Sequence, residues 1–399
     1  MTSKIIKNYL PEIFALGFIR SKPGMVTVNL TSRCNQQCIY CEIGSNPSPP
    51  GKDWLTIDDL KWIIDEMAEI RIPKISLCGG EPFLFEGIIE VVAYAGKKNI
   101  RCSITTNGMT AHLLRDHDLQ ILKECKTEIN VSVDSFRESI QSFTRGSPAA
   151  LPNALISIRK LGENRIPVTV LTVISKYNYR ELFQFFTKAY QLGIKQVLFQ
   201  PVIYYSNYPE RLPVEEKSKL NVSVDQLDVL MGELTKILKF ERRHKIKTNV
   251  YRIFPWIEFY LKTAEDQNGN WFFHDVLKKF YCREIHAIID ISYDGGIQPC
   301  GLAQASISIK NNRGPGLMSL WLKATETIKK DMKEGRYYDI CNGCCHHFSR
   351  NMLASLIKHP IENRAALKSV LPLILLRIRS GILNNLYFYR RQTIQANNI

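Results

Sequence analysis

An α/β chain with a parallel sheet and crossover helices is what the sequence predicts, on three observations. Short apolar runs rich in Val, Ile and Thr recur through residues 25–202. Segments with apolar residues at helical spacing separate them. The 399 residues, 45% of them hydrophobic and 23% charged, suffice to bury a sizeable core without disulfide staples.

The runs are "MVTVNL" (25–30), "KISLC" (74–78), "RCSITT" (101–106), "EINVSV" (128–133), "PVTVLTVI" (167–174) and "KQVLFQPV" (195–202). Each has the length and β-branched content of a buried strand. Between the first two, residues 56–71 place Leu60, Ile63, Ile64, Met67 and Ile70 on one helical face. Strand-helix alternation of this kind implies parallel pairing with helical crossovers, and six units fall short of the eight that close a full barrel. Residues 203–281 break the rhythm. They are helical in pattern, with a charged run "KFERRHKIK" (239–247) and an aromatic patch "FPWIEFY" (254–260).

The expected organisation is an N-terminal helical extension (1–24), a strand-helix unit (25–205) and a helical bridge (206–281). A small cysteine-bearing module (282–345) and a basic helical tail (346–399) follow. The tail has eight Lys or Arg against one acid, Glu362. Its 364–391 stretch mixes apolar residues with Arg364, Lys368, Arg377, Arg379, Arg390 and Arg391. Two readings stay open, a helix packed on the main unit with a solvated basic face, or contact with an anionic membrane surface.

The N-terminus lacks the pattern of a secretory signal, and no stretch reaches the roughly 18 apolar residues of a membrane span. A cytoplasmic protein is expected. Eleven cysteines in such a chain point to metal ligation rather than disulfides. The formal charge of +15 admits nucleic acid, acidic substrates or anionic membrane as partners without choosing among them.

Chemistry concentrates in "TSRCNQQCIYC", directly after the first strand. Cys34, Cys38 and Cys41 are three thiols on one short loop, and Cys78 lies 37 residues beyond the last of them. Three thiolates hold three corners of a cubane and leave the fourth iron without a protein ligand. An open metal position marks a reactive site and a closed shell a structural one. After the second strand comes "CGGEP", where Gly79 and Gly80 permit close backbone approach and Glu81 supplies a carboxylate. "SVDS" (132–135) ends the fourth strand, and Arg145 stands in "FTRGS".

This spacing and context resemble the radical S-adenosylmethionine superfamily, over residues 25–202. The resemblance implies a partial (βα)6 TIM-like barrel with its chemistry at the C-terminal strand ends. It implies a 4Fe-4S cluster on Cys34, Cys38 and Cys41, whose open iron chelates S-adenosyl-L-methionine, and Tyr40 fits the aromatic position of the motif. Gly79, Gly80 and Glu81 then hold the methionyl amino group. Ser132 and Asp134 face the ribose and carboxylate, with loop capping as their plain alternative. Arg145 pairs with the methionyl carboxylate, with a solvated arginine as its alternative. Gln200, ending the sixth strand, is within the same rim. Cys78, Cys102 and Cys125 are expected as small buried hydrophobes.

A second set comprises Cys282, Cys300, Cys341 and Cys344, with Gly295 in a turn before Cys300. Four soft ligands in two pairs suit zinc or an iron–sulfur cluster, and Cys345 can replace Cys344. The plan resembles the twitch module, a truncated SPASM domain, and implies one auxiliary 4Fe-4S cluster with four protein ligands. Among family members it looks most like the butirosin-pathway aminocyclitol dehydrogenase. His346 and His347 are expected to be ordinary polar residues.

The function expected is reductive cleavage of S-adenosylmethionine, hydrogen abstraction, and electron transfer to the auxiliary cluster in a two-electron oxidation. The substrate would be a small molecule or lipid-linked, and the electron donor a flavodoxin or ferredoxin. A peptide-modifying or C–C/C–S bond-forming enzyme is the alternative. The strand at residue 25 leaves no room before it for a leader-binding domain. A non-catalytic metalloprotein binding nucleic acid is the remaining rival, without an RNA-binding signature to accompany its charge.

Overall fold

A computed structural model describes residues 22–41, 43, 54–203, 216, 219–254, 256–258, 260–261, 278–301, 303–310, 312–338, 341, 344 and 348–365. The N-terminal extension before residue 22, Cys345, His346, His347 and the basic tail from 366 lie outside the described residues.

Six parallel strands appear where the apolar runs stand: β1 (Met25–Asn29), β2 (Lys74–Cys78), β3 (Arg101–Thr106), β4 (Glu128–Ser132), β5 (Val168–Ile174) and β6 (Gln196–Pro201). Crossover helices α1 (Ile57–Glu69), α2 (Ile88–Lys97), α3 (Asp116–Glu124), α4 (Glu138–Arg145), α5 (Ala150–Glu163) and α6 (Leu182–Gln191) lie between them. The α1 start is set by a capping box, in which Thr56 and Asp59 each bond the other's backbone N–H.

Residue alternation gives the sheet two unlike faces. Val26, Val28, Ile75, Leu77, Ile129 and Val131 are fully buried in one core cluster with the helices. Their strand neighbours Thr27, Asn29, Ser76, Cys78, Asn130 and Ser132 are polar or small and only half-buried. A strand buried on both faces normally reads as a continuous apolar run. Here the second face lines the concave side of a partial barrel, and it is polar.

The bridge departs from expectation. It contains helix α7 (Leu227–Glu241), but Lys247–Thr248 forms a short strand, β7, parallel to β6. The Asn249 side chain docks this segment by exchanging hydrogen bonds with the Phe199 backbone at 2.7 and 2.8 Å. The charged run therefore ends a helix and begins a strand, and the pairing depends on β6 rather than on local periodicity.

The cysteine-bearing segment likewise continues the barrel sheet. Strand β8 (Ile288–Ile291) pairs in parallel with β1 on the edge opposite β2, and β9 (Gly296–Gln298) and β10 (Ile307–Ser308) follow it antiparallel. Among the described residues, the sheet has ten strands in the order β10-β9-β8-β1-β2-β3-β4-β5-β6-β7. Helices α8 (Leu317–Lys333) and α9 (Phe348–Lys358) complete the described segment. It is anchored to α1 through Arg313 paired with Asp59 and through Leu317 N–H on Glu66 at 2.7 Å. Among the described residues, no helix is long and apolar enough to cross a membrane.

Candidate functional site

The loop Cys34–Cys41 leaves the C-terminal end of β1 and is clasped from two sides. On the first side, Gly80 N–H donates to Thr31 O at 2.7 Å and Glu81 N–H to Arg33 O at 2.8 Å. Gly79 has φ +118°, and a Cβ there would stand 2.7 Å from Thr31 O. A Cβ on Gly80 would stand 2.0 Å from Arg33 O. The two glycines thus serve a close approach of chain to chain, which no side chain could allow.

Glu81 is fully buried. Its carboxylate accepts from Thr106 Oγ1 (2.7 Å), Phe83 N (3.1 Å) and Asn107 N (2.8 Å). Burial raises its pKa, and those donors oppose the rise. Asn107, in the "TTNG" stretch (105–108) at the end of β3, then reaches back to the loop. Its Nδ2 donates to Asn35 Oδ1 at 2.7 Å and approaches Cys34 Sγ at 3.7 Å.

On the second side stands the C-terminus of α4. Ile39 N–H donates to Thr144 O at 3.1 Å, and the Cys38 thiol approaches Arg145 O at 3.9 Å. Gly146, at φ +62°, lies so close to Gln37 O that a Cβ would stand 2.2 Å away. Arg145 pairs with Asp134 at 2.6 Å, both nearly fully buried, and its guanidinium carbon lies 5.5 Å from the centre of the Tyr40 ring. Tyr40 donates its hydroxyl to the other Asp134 oxygen. The structure thus brings Gly79, Gly80, Glu81, Asp134 and Arg145 to the loop as its scaffold. Ser132 lies two residues before Asp134 on the polar face, and Gln200 is exposed on β6.

The three thiols share one electrostatic neighbourhood. Burial pushes the Cys38 thiol up to about 12, Arg145 opposes the rise, and Cys41, Asp134 and Cys34 add to it. Burial also raises Cys34, with the Gln36 N–H opposing and the Cys41 thiol adding. Among the described residues, no three His, Cys, Asp or Glu converge tightly enough to hold a single metal ion. A cubane asks something else, one thiol on each of three separate irons. Three soft donors on one loop, within electrostatic reach of one another, fit that demand.

Residues 28–189 match the model of the radical SAM superfamily. Over these residues the barrel is similar to radical SAM domains. It is 31% identical over 172 residues to an AdoMet-dependent heme synthase of Methanosarcina barkeri, covering 43% of this chain and 48% of that one. The chain therefore spans about half the length of this relative. A longer match, 23% identical over 327 residues, joins it to a PqqA peptide cyclase of Bradyrhizobium diazoefficiens, covering 81% and 78%. The fold is shared with Streptococcus suis SuiB bound to precursor peptide SuiA, at TM-score 0.59 and 15% identity, over 90% and 77% of the two chains.

Beneath the loop, the polar barrel face carries a group that motif reading passed over. Asp290, on β8, stands level with Thr27 on β1. Burial pushes its carboxyl up to about 7, opposed by hydrogen bonds from Thr27 and the Gly301 backbone. Its charge acts on Cys78, whose thiol donates to Asn29 Oδ1 at 3.2 Å. Cys78 is therefore a polar participant in the barrel face. Cys102 is buried as expected, and Cys125 packs half-buried against Gly96. Nothing in the sequence marks Asp290, because its place depends on β8 pairing with β1.

In the second set, Cys300 and Cys341 both act electrostatically on Cys282, whose thiol burial pushes well up. Asn351 Nδ2 approaches Cys282 Sγ at 3.8 Å, and Cys344 N–H donates to Cys341 O at 3.4 Å. Cys282 thus feels two thiols from elsewhere in the sequence.

Proposed function

We propose that this chain is a radical SAM enzyme that carries out a net two-electron oxidation of its substrate. The observation that carries the reading is the pair of clasps that present Cys34, Cys38 and Cys41 together at the C-terminal strand ends, where such barrels place their chemistry. When bound there, the cluster and S-adenosylmethionine supply a 5′-deoxyadenosyl radical. In all, the substrate would lose one hydrogen atom, one proton and one further electron. The electrostatic influence of Cys300 and Cys341 on Cys282 supports a second cluster with protein ligands only, suited to receive that electron.

The polar barrel face supports a hydrogen-bonding substrate, a small molecule or the polar head of a lipid-linked one. Dehydrogenation of an alcohol balances in this way. So does formation of a C–C or C–S bond, since both remove two electrons and two protons in total. The second reading, peptide modification, draws on the long match to a peptide cyclase. A flavodoxin- or ferredoxin-type donor would supply the priming electron.

Anaerobic reconstitution with iron and sulfide counting, followed by a 5′-deoxyadenosine assay with reductant, tests this. About eight irons and 5′-deoxyadenosine formation are expected for two four-iron clusters. Four irons only would remove the second cluster from the proposal, and zinc in place of iron would remove the function.

A further inference from the structure

We propose that Tyr40, Asp134 and Arg145 form a positioning network that holds the Cys38–Cys41 half of the loop and balances charge beside it, without requiring S-adenosylmethionine. The inference rests on the cluster reading above. The three residues come from the loop, the end of β4 and the end of α4, so they join elements that the chain visits separately.

Asp134 is the fixed point. It is 1% exposed, and one carboxylate oxygen accepts from Arg145 Nη2 at 2.6 Å and from Val173 N at 3.0 Å. The other accepts from Tyr40. Its backbone N–H donates to Gln141 Oε1 at 2.7 Å, and its carbonyl accepts from Asn178 Nδ2 at 2.9 Å. Backbone and side chain are therefore both held, and the hydroxyl of Tyr40 is drawn to a carboxylate that cannot follow it.

Arg145 holds the same stretch by different means. Its carbonyl faces the Cys38 thiol, and its guanidinium lies by the Tyr40 ring, a contact of cation–π range. The adjacent Thr144 carbonyl takes the Ile39 N–H. A buried charge pair of this kind is costly to break by removing one partner alone. Beside an anionic cluster, each member pulls the reduction potential in its own direction. The cation favours the more negative, reduced state, and the carboxylate disfavours it.

The test uses the reconstituted full chain, first without and then with S-adenosylmethionine, comparing wild type with Arg145→Met, Asp134→Asn and the double variant. Midpoint potential and the electron paramagnetic resonance signal of the loop cluster are the readouts. Arg145→Met is expected to lower the potential, Asp134→Asn to raise it, and the double variant to return close to wild type. Unchanged potentials and spectra in the cofactor-free protein, with only the S-adenosylmethionine-induced spectral change lost, would overturn the network and make Arg145 a cofactor anchor. Should the charged variants fail to fold, Tyr40→Phe removes the hydroxyl alone. It is expected to lose loop iron to a chelator several-fold faster, and an unchanged rate would overturn the proposal. Wild-type protein that binds no iron would instead defeat the cluster reading itself.

Discussion

The two cysteine regions are built by opposite strategies. Cys34, Cys38 and Cys41 lie within eight positions, and the barrel has only to clasp one loop at its two flanks. Cys282, Cys300 and Cys341 come from a segment preceding β8, the residues just after β9 and a helical residue beyond α8. Their placement depends on the β8–β1 pairing and on contacts of the segment with α1. The first region shows that local spacing can present three thiols on one loop. The second shows that thiols spread through the sequence depend on the packing that places them.

The sharpest break of this contrast is by single thiols. Cys38→Ser should abolish 5′-deoxyadenosine formation, whereas Cys282→Ser should preserve it while removing about four irons, as read by iron counting and product assay. Equal loss of 5′-deoxyadenosine in both would end the division of roles.

The clasp itself is next. Gly80→Ala would set a Cβ 2.0 Å from a backbone oxygen. It should destabilise the chain by about 3 kcal/mol in chemical denaturation and impair loop-cluster uptake before second-cluster uptake.

Asp290 tests the docked segment by pH. Its carboxyl ionises at about 7 in the folded chain, above the ordinary value of 3.8. The folded state therefore loses stability, relative to the unfolded state, as pH rises from about 4 to about 7, and the loss is constant above that. Asp290→Asn should stabilise the chain at pH 8 by about 2 kcal/mol, with hydrogen bonds from Thr27 and Gly301 offsetting part of the gain. The advantage should vanish near pH 4, followed by denaturant titration at each pH.

The smallest effect concerns the anchor on α1. Asp59→Ala removes the Arg313 partner and the reciprocal half of the α1 cap. Arg313 is 39% exposed, so the pair is weak, and the total should be about 1–2 kcal/mol in thermal unfolding. Faster hydrogen exchange should be confined to residues 303–317.

The six barrel strands and the cysteine loop were legible because each is a local pattern. A β-branched run such as Val168–Ile174 declares itself within seven residues, and so does a thiol spacing. The "CGGEP" motif was legible as a motif, yet the approach its glycines permit is to Thr31 and Arg33 of the same chain. Strand β7 was not legible, because two residues beside a charged run carry no period and are strands only by pairing with β6. Asp290 was hidden for the same reason, its neighbours being Thr27 and Cys78, more than two hundred residues away.

By itself the sequence determined which segments become strands, which loop bears three thiols, and which residues stand at the strand ends. Periodicity and ligand spacing are properties of neighbouring residues, and no partner is needed to express them. The tertiary structure alone decided that β8 completes the sheet beside β1, that Asp290 enters the polar barrel face, and that Arg145 answers to Asp134 and Tyr40. Those are contacts between distant segments, settled by which surfaces bury one another and which buried charges find partners.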